Sequence, residues 1–317
     1  MLKLLHVGLS ANGEPLNGLQ KAFIKKFHYR EIASRQPLIN EHIVATCNDF
    51  KPDIVFIQVQ QRNIVSIEAV EHARKLGAFV INWTGDVRSP IPSWYEEFGR
   101  HIDLTCFSNV NDVETLCSRG IKSDFLQIGY DPEIYSPPPF KSYHEQPILF
   151  LANNSGTKFP LSEYRAYLAK TLRQTYKTQF GLYGNGWGEL SNGSYYGDQL
   201  GEARLYQGGK IAINVSHFEY KRYSSDRLFR ILGSGIFCLC KKYPEVEIDF
   251  QDGIDLVLWE TEKELLEKID YYMDENNQVE RQMIAYNGWQ KALKNHTFDS
   301  MINDIHSLYL KHTNNNA

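Results

Sequence analysis

Short runs of apolar residues recur along the first part of the chain, and the stretches between them are long enough for a crossover helix. These runs are Leu2–Leu9, Asp53–Gln58, Ala78–Asn82 and Asp103–Phe107. Apolar runs of this length are typical of buried strands. Strands that alternate with helical segments predict a parallel sheet with helices on both faces.

A second series of the same kind follows, with predicted strands at 148–152, 180–183, 211–215, 236–240 and 256–259. Between the two series, residues 128–147 contain Gly129-Tyr-Asp-Pro132 and Ser136-Pro-Pro-Pro139, which have no helical or strand period. We interpret this stretch as an interdomain linker. From Thr261 to about His312 the pattern predicts nearly continuous helix.

The chain of 317 residues is long enough for two domains of about 150 residues each. We therefore predict an α/β protein with a Rossmann-like domain over residues 1–140 and a second one over 141–299. Residues 300–317 are predicted to form a helix that returns to the first domain. In such architectures ligands bind beyond the carboxyl ends of the strands.

Composition and charge narrow the class of protein. Hydrophobic residues make up 42% of the chain and charged residues 23%, as in folded globular proteins. The net charge of −4 and the pI near 6.2 argue against a protein whose main task is to coat phosphate backbones, although a local basic patch stays possible.

The cysteines indicate neither a disulfide framework nor a metal site. Cys47, Cys106, Cys117, Cys238 and Cys240 are scattered, odd in number and without metal-ligand spacing. The apolar run at the N-terminus is too short for a signal peptide, and no apolar stretch reaches membrane-spanning length. We expect a cytoplasmic protein without a bound metal.

The segment from Tyr223 to Gly235 carries the strongest local signal for a binding site. It begins with capping residues, becomes helical and ends with glycines before a new strand, and Ser225 or Asp226 is the expected N-cap. Free N–H groups and partial positive charge at a helix N-terminus suit a nucleotide diphosphate without a metal. The alternative is an ordinary capped helix.

Two neighbouring segments strengthen this interpretation. Tyr183-Gly-Asn-Gly-Trp187 directly follows a predicted strand, so its glycines would let the backbone approach a ligand closely. Lys210-Ile-Ala-Ile-Asn-Val-Ser216 is a strand that ends in polar residues, which should project into the same crevice.

Read together, these segments resemble the group 1 glycosyltransferases, in the branch of the CgeB-like spore-maturation proteins. The resemblance covers roughly residues 148 to 312, and the first domain matches only loosely, in its strand pattern and in a Trp-x-x-Asp step at Trp83–Asp86. The matching pieces, in the family's order, are Tyr183–Trp187, Lys210–Ser216, Arg227–Gly235, Phe250–Asp255 and Asn295–Phe298.

The resemblance implies a GT-B fold, in which two Rossmann-like domains face each other across a cleft. The second domain would hold a nucleotide-sugar donor and the first an acceptor. The implied function is a metal-independent glycosyltransferase that moves a sugar from a nucleoside diphosphate sugar to an acceptor hydroxyl. No cofactor is implied beyond the co-substrate, for which a UDP-sugar is favoured.

Carried over by position, one set of residues would contact the donor. Ser225 and Asp226 would offer backbone N–H groups to the diphosphate, Arg227 a charge-assisted contact, and Tyr183 with Gly184 would lie near the base or ribose. Lys210, Asn214 and Ser216 belong to a buried strand and could equally be structural. The full set is Asn153, Asn154, Ser155, Tyr183, Gly184, Asn214, Ser216, Ser224, Ser225, Asp226, Arg227 and Arg230.

One position departs from the family pattern. Arg230 stands where the family usually has a glutamate that would bind the ribose hydroxyls, and a guanidinium has no acceptor. Either Glu219 or Asp226 replaces that carboxylate, or the donor is held differently, or activity is lost.

In the first domain, Asp86 follows a predicted strand within Trp83-Thr-Gly-Asp-Val-Arg88. It would act as general base if the enzyme inverts configuration, orient a substrate if it retains configuration, or merely stabilise a turn. Gly8, Ser10, Asn12 and Gly13 form the expected first cleft loop. Among the histidines only His217, just after a predicted strand, is expected near the cleft.

Two other classes of protein stay open. A catalytically inactive GT-B module that binds a nucleotide, a glycan or a protein is favoured by Arg230, whereas a sugar-nucleotide epimerase would lack the arrangement from Arg227 to Gly235. The acceptor can be a glycan, a protein, a small molecule or a modified base in DNA.

Overall fold

A computed structural model describes residues 1–9, 17–59, 61–140, 143, 145–195 and 198–314. The chain forms two compact units, the first made of Met1–Gly129 with Phe298–Ala317 and the second of Tyr130–Thr297. Each unit contains one parallel sheet, as the alternation of strands and helices predicted.

The sheet of the first unit has six strands in the order β2-β1-β3-β4-β5-β6. All of its strand pairs are parallel, since each strand is followed by a crossover on the way to the next. The strands are β1 (Lys3–Gly8), β2 (His28–Ala33), β3 (Ile54–Ile57), β4 (Phe79–Thr84), β5 (Leu104–Phe107) and β6 (Ser123–Phe125).

Helices cover both faces of this sheet and bury its apolar side chains in several clusters. One cluster includes Phe23, Ile81 and Ile305, another includes Val55 and Val70, and a smaller one includes Phe107. The helices are α1 (Gly18–Lys26), α2 (Ile39–Phe50), α3 (Ile67–Lys75), α4 (Ser93–Arg100), α5 (Val110–Ser118) and, from the end of the chain, α11 (Phe298–Asn314).

The second unit has a five-stranded parallel sheet in the order β11-β10-β9-β7-β8. Its core contains the strand residues Phe150, Leu182 and Ile213. The elements are β7 (Ile148–Leu151), α6 (Ser162–Tyr176), β8 (Phe180–Tyr183), α7 (Gln199–Gln207), β9 (Ile211–Asn214), α8 (Asp226–Gly233), β10 (Phe237–Lys241), β11 (Val257–Trp259), α9 (Glu262–Met273) and α10 (Gln278–Asn295).

The hydrophobic pattern did not predict β2 and β6. Strand β2 lies at the edge of its sheet and pairs only with β1, so four of its six residues are not buried and its sequence HYREIA is mostly polar. Strand β6 has three half-buried residues, SDF. Neither segment presents the apolar run by which a central strand is found.

The chain passes from the first unit to the second at Gly129, earlier than the predicted boundary at residue 140. The reason is that Tyr130 already packs in the second unit: its backbone N–H donates to His296 O at 3.0 Å. Its ring packs directly on Gly233, where an added Cβ would lie only 2.3 Å from the ring. In the first unit, α11 packs against α1.

In each sheet, the strand that comes first along the chain lies between the next two strands, so the chain first adds a strand on one side of it and then a strand on the other side. These strands are β1, between β2 and β3, and β7, between β8 and β9. Such a topological switch point opens a crevice at the carboxyl ends of the strands. Within the described ranges, no helix is long and apolar enough to cross a membrane.

Candidate functional site

The N-terminus of α8 lies beside the switch point of the second unit. Ser225 is the N-cap residue, with extended backbone angles (φ −68°, ψ 160°), but its side chain does not cap the helix. Instead, Ser225 Oγ is buried without a hydrogen-bond partner in the described part of the chain, and so is Ser216 Oγ, which follows β9. Buried hydroxyls are normally satisfied, so this pair suits a polar ligand.

Arg227, in the first turn of α8, spans the switch point with its guanidinium group. Nε donates to Asn214 Oδ1 at 3.1 Å, Nη2 to Val215 O at 2.7 Å and Nη1 to Leu151 O at 3.5 Å. Leu151 ends β7 and Asn214 ends β9, so both neighbouring strands hold the arginine. Its position is therefore fixed by the sheet.

A second arginine, Arg165 on α6, lies close to Arg227. Its side chain is 1% exposed. Nη1 donates to His217 Nδ1 at 2.7 Å, and Nε has no partner among the described residues. Burial, with the charge of Arg227 as the next cause, lowers the pKa of Arg165 to about 9, so the guanidinium still carries its charge at pH 7.

His217 is neutral in this setting. Burial, followed by the charges of Arg165, Arg227 and Lys158, lowers the pKa of its imidazole to about 3. Ser155 Oγ lies 3.4 Å from its Nε2. We call Arg165, Arg227 and His217 the arginine cluster.

Among the described residues, negative charge reaches the arginine cluster only from a distance, since Glu202 interacts electrostatically with Arg227 but forms its ion pair with Arg230. In the described part of the chain, neither arginine forms an ion pair with a carboxylate. A buried charge beside a second charge of the same sign is unfavourable unless an anion joins them, and here Arg165 is buried and Arg227 half-buried. A ligand with two adjacent negative charges, such as a diphosphate, fits this arrangement because guanidinium groups bind phosphate oxygens with paired N–H donors.

The loop after β7 is held by the loop after β8. Asn153 Oδ1 accepts the N–H of Asn185 at 2.9 Å, and Asn154 Nδ2 donates to Gly186 O at 3.1 Å. A Cβ on Gly184, where φ is 135°, would lie 2.1 Å from Ala152 O. The glycine therefore permits a close approach of two loops of the protein itself, where the sequence had suggested approach to a ligand.

Arg230 lies one turn beyond Arg227 and binds two carboxylates. Nη1 donates to Glu202 Oε2 at 3.0 Å, and Nη2 is 2.6 Å from Asp226 Oδ2. Burial alone would lower the pKa of Arg230, but Asp226 and Glu202 outweigh it and raise the pKa above its ordinary value. Tyr135 Oη donates to Glu202 Oε2 at 2.8 Å.

Of the carboxylates expected to replace the family glutamate, Asp226 lies at Arg230, while Glu219 pairs with Lys241 at 2.8 Å. Lys210 lies at the opposite end of β9 and pairs with Glu275 at 2.5 Å. It is therefore not part of this site.

The remaining predicted donor residues lie near these groups or in the adjoining loops. Ser224 is buried, and its Oγ donates to Ser225 O at 3.3 Å. Tyr183, half-buried at the end of β8, approaches Gln146 Oε1 with its hydroxyl at 3.5 Å. The structure thus brings Asn214, Ser216, Ser225 and Arg227 together at one switch point.

In the first unit, Asp86 follows β4 and its side chain is 78% exposed. Thr84 Oγ1 accepts its backbone N–H at 3.1 Å, and Arg88 Nη2 lies 4.0 Å from its carboxylate. A Cβ on Gly8 would lie 2.6 Å from His6 Cε1, so this glycine makes room for the histidine. Ser10, Asn12 and Gly13 lie outside the described residues.

The sequence reasoning missed Arg165 and Glu202, yet both carried a signal. Arg165 stands three and four residues before the buried Leu168 and Ala169, and Glu202 four residues before the buried Tyr206. A charge within the apolar stripe of a helix is unusual, because buried charges need a partner.

Metal-binding geometry is not found at these positions. Over the ranges that the structure describes, no group of three or more His, Cys, Asp or Glu side chains is placed to hold a metal ion. The five cysteines are free, and Cys117 alone among them is exposed.

Comparison by sequence gives one match. The model of the glycosyl transferase-like family matches residues 165–307, a span that begins at Arg165 and includes Arg227. No curated protein matches the chain.

Comparison by structure gives matches over nearly the whole chain. A glycosyltransferase from Rickettsia africae has a TM-score of 0.64 at 11% identity, covering 98% of each chain. HepE from Anabaena, solved with UDP and glucose, has a TM-score of 0.62 at 12% identity, covering 97% of this chain and 99% of HepE. Sucrose-phosphate synthase from Thermosynechococcus elongatus has a TM-score of 0.65 at 9% identity, covering 98% of each.

At these identities the likeness shows the fold alone. The chain has the α/β fold of GT-B glycosyltransferases, with two parallel sheets, which confirms the expected fold class. The closer resemblance to the CgeB-like branch stays a prediction.

Proposed function

We propose that this protein is a glycosyltransferase that moves a sugar from a nucleoside diphosphate sugar to an acceptor hydroxyl. The observation that carries the proposal is the arginine cluster, in which the buried Arg165 and the half-buried Arg227 repel each other and neither forms an ion pair with a carboxylate of the described residues. The cluster adjoins the N-terminus of α8, where the hydroxyls of Ser216 and Ser225 have no partner in the described residues.

In the proposed reaction the bond between the sugar's anomeric carbon and the diphosphate oxygen breaks, and a bond to the acceptor oxygen forms. The departing diphosphate gains negative charge as this bond breaks. Arg165, Arg227 and the N–H groups of α8 would stabilise that charge, which is the usual role of preorganised donors in such reactions. The neutral His217 would hold Arg165 in place by accepting its N–H.

The acceptor hydroxyl loses its proton when the new bond forms. Asp86 is our candidate for the base if configuration is inverted, and for an orienting group if it is retained. Its exposed carboxylate at the end of β4 supports the choice. An Asp86→Asn variant tests it.

We further propose that the donor is a UDP-sugar and that no metal ion is needed. The two positive charges of Arg165 and Arg227 can neutralise the negative charges of a diphosphate. In metal-dependent enzymes a divalent cation does this instead. HepE, which shares the fold, has been solved with UDP-glucose as well. The five free cysteines support a cytoplasmic location.

Beside Arg230, the carboxylates of Glu202 and Asp226 are the groups that could accept hydrogen bonds from the nucleoside. Glu202 is 3% exposed at its side chain, and Asp226 is 37% exposed. Asp226 is therefore the more accessible acceptor. This arrangement offers a reason why an arginine at position 230 need not abolish donor binding.

Calorimetric titration with UDP, GDP, ADP and dTDP, first without metal and then with magnesium, tests the donor site. UDP should bind without metal, and Arg227→Ala should weaken binding about 10- to 100-fold, because a charge-assisted hydrogen bond contributes roughly 1.5–3 kcal/mol. Lys263→Ala, which removes a charge that is 86% exposed on α9, is the control and should leave the affinity unchanged.

A nucleotide-binding module without activity is the second candidate, and the arginine at position 230 favours it. Release of UDP from UDP-glucose, measured over hours with purified protein, separates the two. Tight UDP binding without any turnover, with every acceptor class supplied, would favour the module. Absence of binding by all four nucleotides would refute the donor site itself.

A further inference from the structure

Asn214 ends β9 beside Arg227, and both ends of its side-chain amide are used within the protein. Oδ1 accepts the Nε–H of Arg227 at 3.1 Å, and Nδ2 donates to Cys240 Sγ at 3.3 Å. Asn214 is 1% exposed. Because the side chain is buried and both of its ends have partners, Asn214 is placed to act on a ligand only through Arg227.

The hydrogen bonds of Arg227 show which of its N–H groups remain for a ligand. Besides Asn214, its acceptors among the described residues are two backbone carbonyls, Val215 O at 2.7 Å from Nη2 and Leu151 O at 3.5 Å from Nη1. Three of the five N–H groups of the guanidinium are thus directed at the protein, which leaves one on each terminal nitrogen. Paired N–H groups of this kind bind phosphate oxygens.

These three acceptors of Arg227 are all neutral. An amide or carbonyl oxygen holds a guanidinium in place without cancelling its charge, whereas a carboxylate does both. The contrast is seen one turn later on α8, where Arg230 pairs with Asp226 at 2.6 Å and with Glu202 at 3.0 Å. Of these two arginines, Arg227 is the one that the described residues hold by neutral groups alone.

The neighbouring strand keeps the surroundings of Asn214 neutral as well. Cys240 lies opposite Asn214 in the register of β10 and β9. Burial raises the pKa of the Cys240 thiol to about 11, so at pH 7 its sulfur accepts the amide N–H as a neutral thiol. This contact occupies Nδ2 and leaves Oδ1 for the arginine.

We propose that Asn214 is a positioning residue for the donor diphosphate, which holds Arg227 in place as a neutral acceptor and so keeps the arginine's charge available to the ligand. This role differs from the direct donor contact that the sequence predicted for Asn214. The inference rests on the proposed donor site.

Asn214→Asp and Asn214→Ala separate this role from a purely structural one, with calorimetric titration of UDP as the measurement. In Asn214→Asp the hydrogen bond to Nε is kept but the new carboxylate pairs with Arg227, so the affinity should fall by about 100-fold or more. In Asn214→Ala the hydrogen bond is lost but the charge of Arg227 is kept, so the affinity should fall by about tenfold or less.

The midpoint of thermal unfolding should change in the opposite order. The carboxylate of Asn214→Asp would offset the repulsion between Arg227 and Arg165, so the midpoint of this variant should equal or exceed that of the wild type. Asn214→Ala leaves the Nε–H without its acceptor, so its midpoint should be lower by about 5 °C. A purely structural role predicts instead that the more stable variant binds UDP more tightly.

Asn192→Asp is the matched control, since Asn192 Oδ1 accepts an N–H of Arg173, which is not part of the arginine cluster. The same exchange of an amide for a carboxylate beside an arginine should leave UDP affinity unchanged at this position. Added NaCl should weaken UDP binding by the wild type more steeply than by Asn214→Asp, because the variant has a smaller net positive charge at the site.

Two results would overturn the inference while leaving the donor site intact. One is that Asn214→Asp binds UDP at least as tightly as Asn214→Ala, and the other is that Asn214→Asp does not fold, as circular dichroism would show. A wild type that binds none of UDP, GDP, ADP and dTDP would refute the donor site, and this inference with it.

Discussion

Replacement of Arg165 by methionine should make the protein more stable and its nucleotide binding weaker. Burial, followed by the charge of Arg227, lowers the pKa of Arg165 from 12.5 to about 9, so the free protein disfavours this charge. At 1.4 kcal/mol for each pKa unit, this amounts to about 5 kcal/mol. The charge lies in a buried position beside Arg227, with one acceptor on His217.

Methionine keeps most of the unbranched apolar stem, so the loss of packing is small. The lost hydrogen bond to His217 and the altered packing should offset about 2–4 kcal/mol of the gain. We therefore expect the free energy of unfolding to rise by about 1–3 kcal/mol. Functional sites commonly contain residues that bind a ligand well but lower the stability of the free protein.

Arg173→Met is the control, since Arg173 lies on the same helix but both of its terminal nitrogens donate to protein acceptors. Its Nη1 donates to Phe180 O at 2.6 Å and its Nη2 to Leu190 O at 3.0 Å. This substitution should therefore destabilise the protein. The two variants are expected to change stability in opposite directions.

Urea unfolding with and without UDP measures both effects. The wild type should gain stability as UDP is added, by mass action, whereas Arg165→Met should start higher and gain little. A variant that is less stable than the wild type and binds UDP equally well would refute the reasoning, because Arg165 would then be a structural residue.

Three further predictions concern other positions. Gly184→Ala should lower the free energy of unfolding by more than about 3 kcal/mol, because its Cβ would lie 2.1 Å from Ala152 O. The control Gly120→Ala, whose Cβ would have no atom within 4 Å, should lower it by about 1 kcal/mol. Urea unfolding measures both values. Burial lowers the pKa of His296 from 6.5 to about 4. The contribution of the neutral imidazole to the free energy of unfolding is therefore complete above pH 6.5 and falls by about 3 kcal/mol as the pH drops to 4. His296→Phe should flatten this pH dependence, and an unchanged slope would contradict the prediction. Asp86→Asn should lower kcat by about 100-fold or more and leave UDP affinity unchanged in calorimetry if this residue is the base, and an unaltered kcat would remove it from that role.

The candidate site was predictable where it depends on local sequence. The helix start at Ser225 and Asp226, and the position of Arg227 in its first turn, follow from capping residues before an apolar period. The strands β7 and β9, whose ends Arg227 joins, were found as apolar runs. What this reasoning could not supply is a contact between residues far apart in the chain.

The exchange at position 230 illustrates that limit. The sequence showed an arginine where a carboxylate was expected, and offered Glu219 and Asp226 as replacements. The structure adds Glu202, because α7 packs so that its buried face meets α8. The sequence of α7 does not show which of its residues will face α8, and the sequence of α8 does not show which will face α7.

The alternation of apolar runs with helical segments by itself determined that this protein has two α/β units, because a buried parallel strand and its crossover helix are each recognisable locally. Only the tertiary structure decided that Arg165, on a helix more than 60 residues before Arg227, shares one site with it. The reason is physical: the order of strands β8-β7-β9 places those helices at one switch point, and strand order depends on long-range packing.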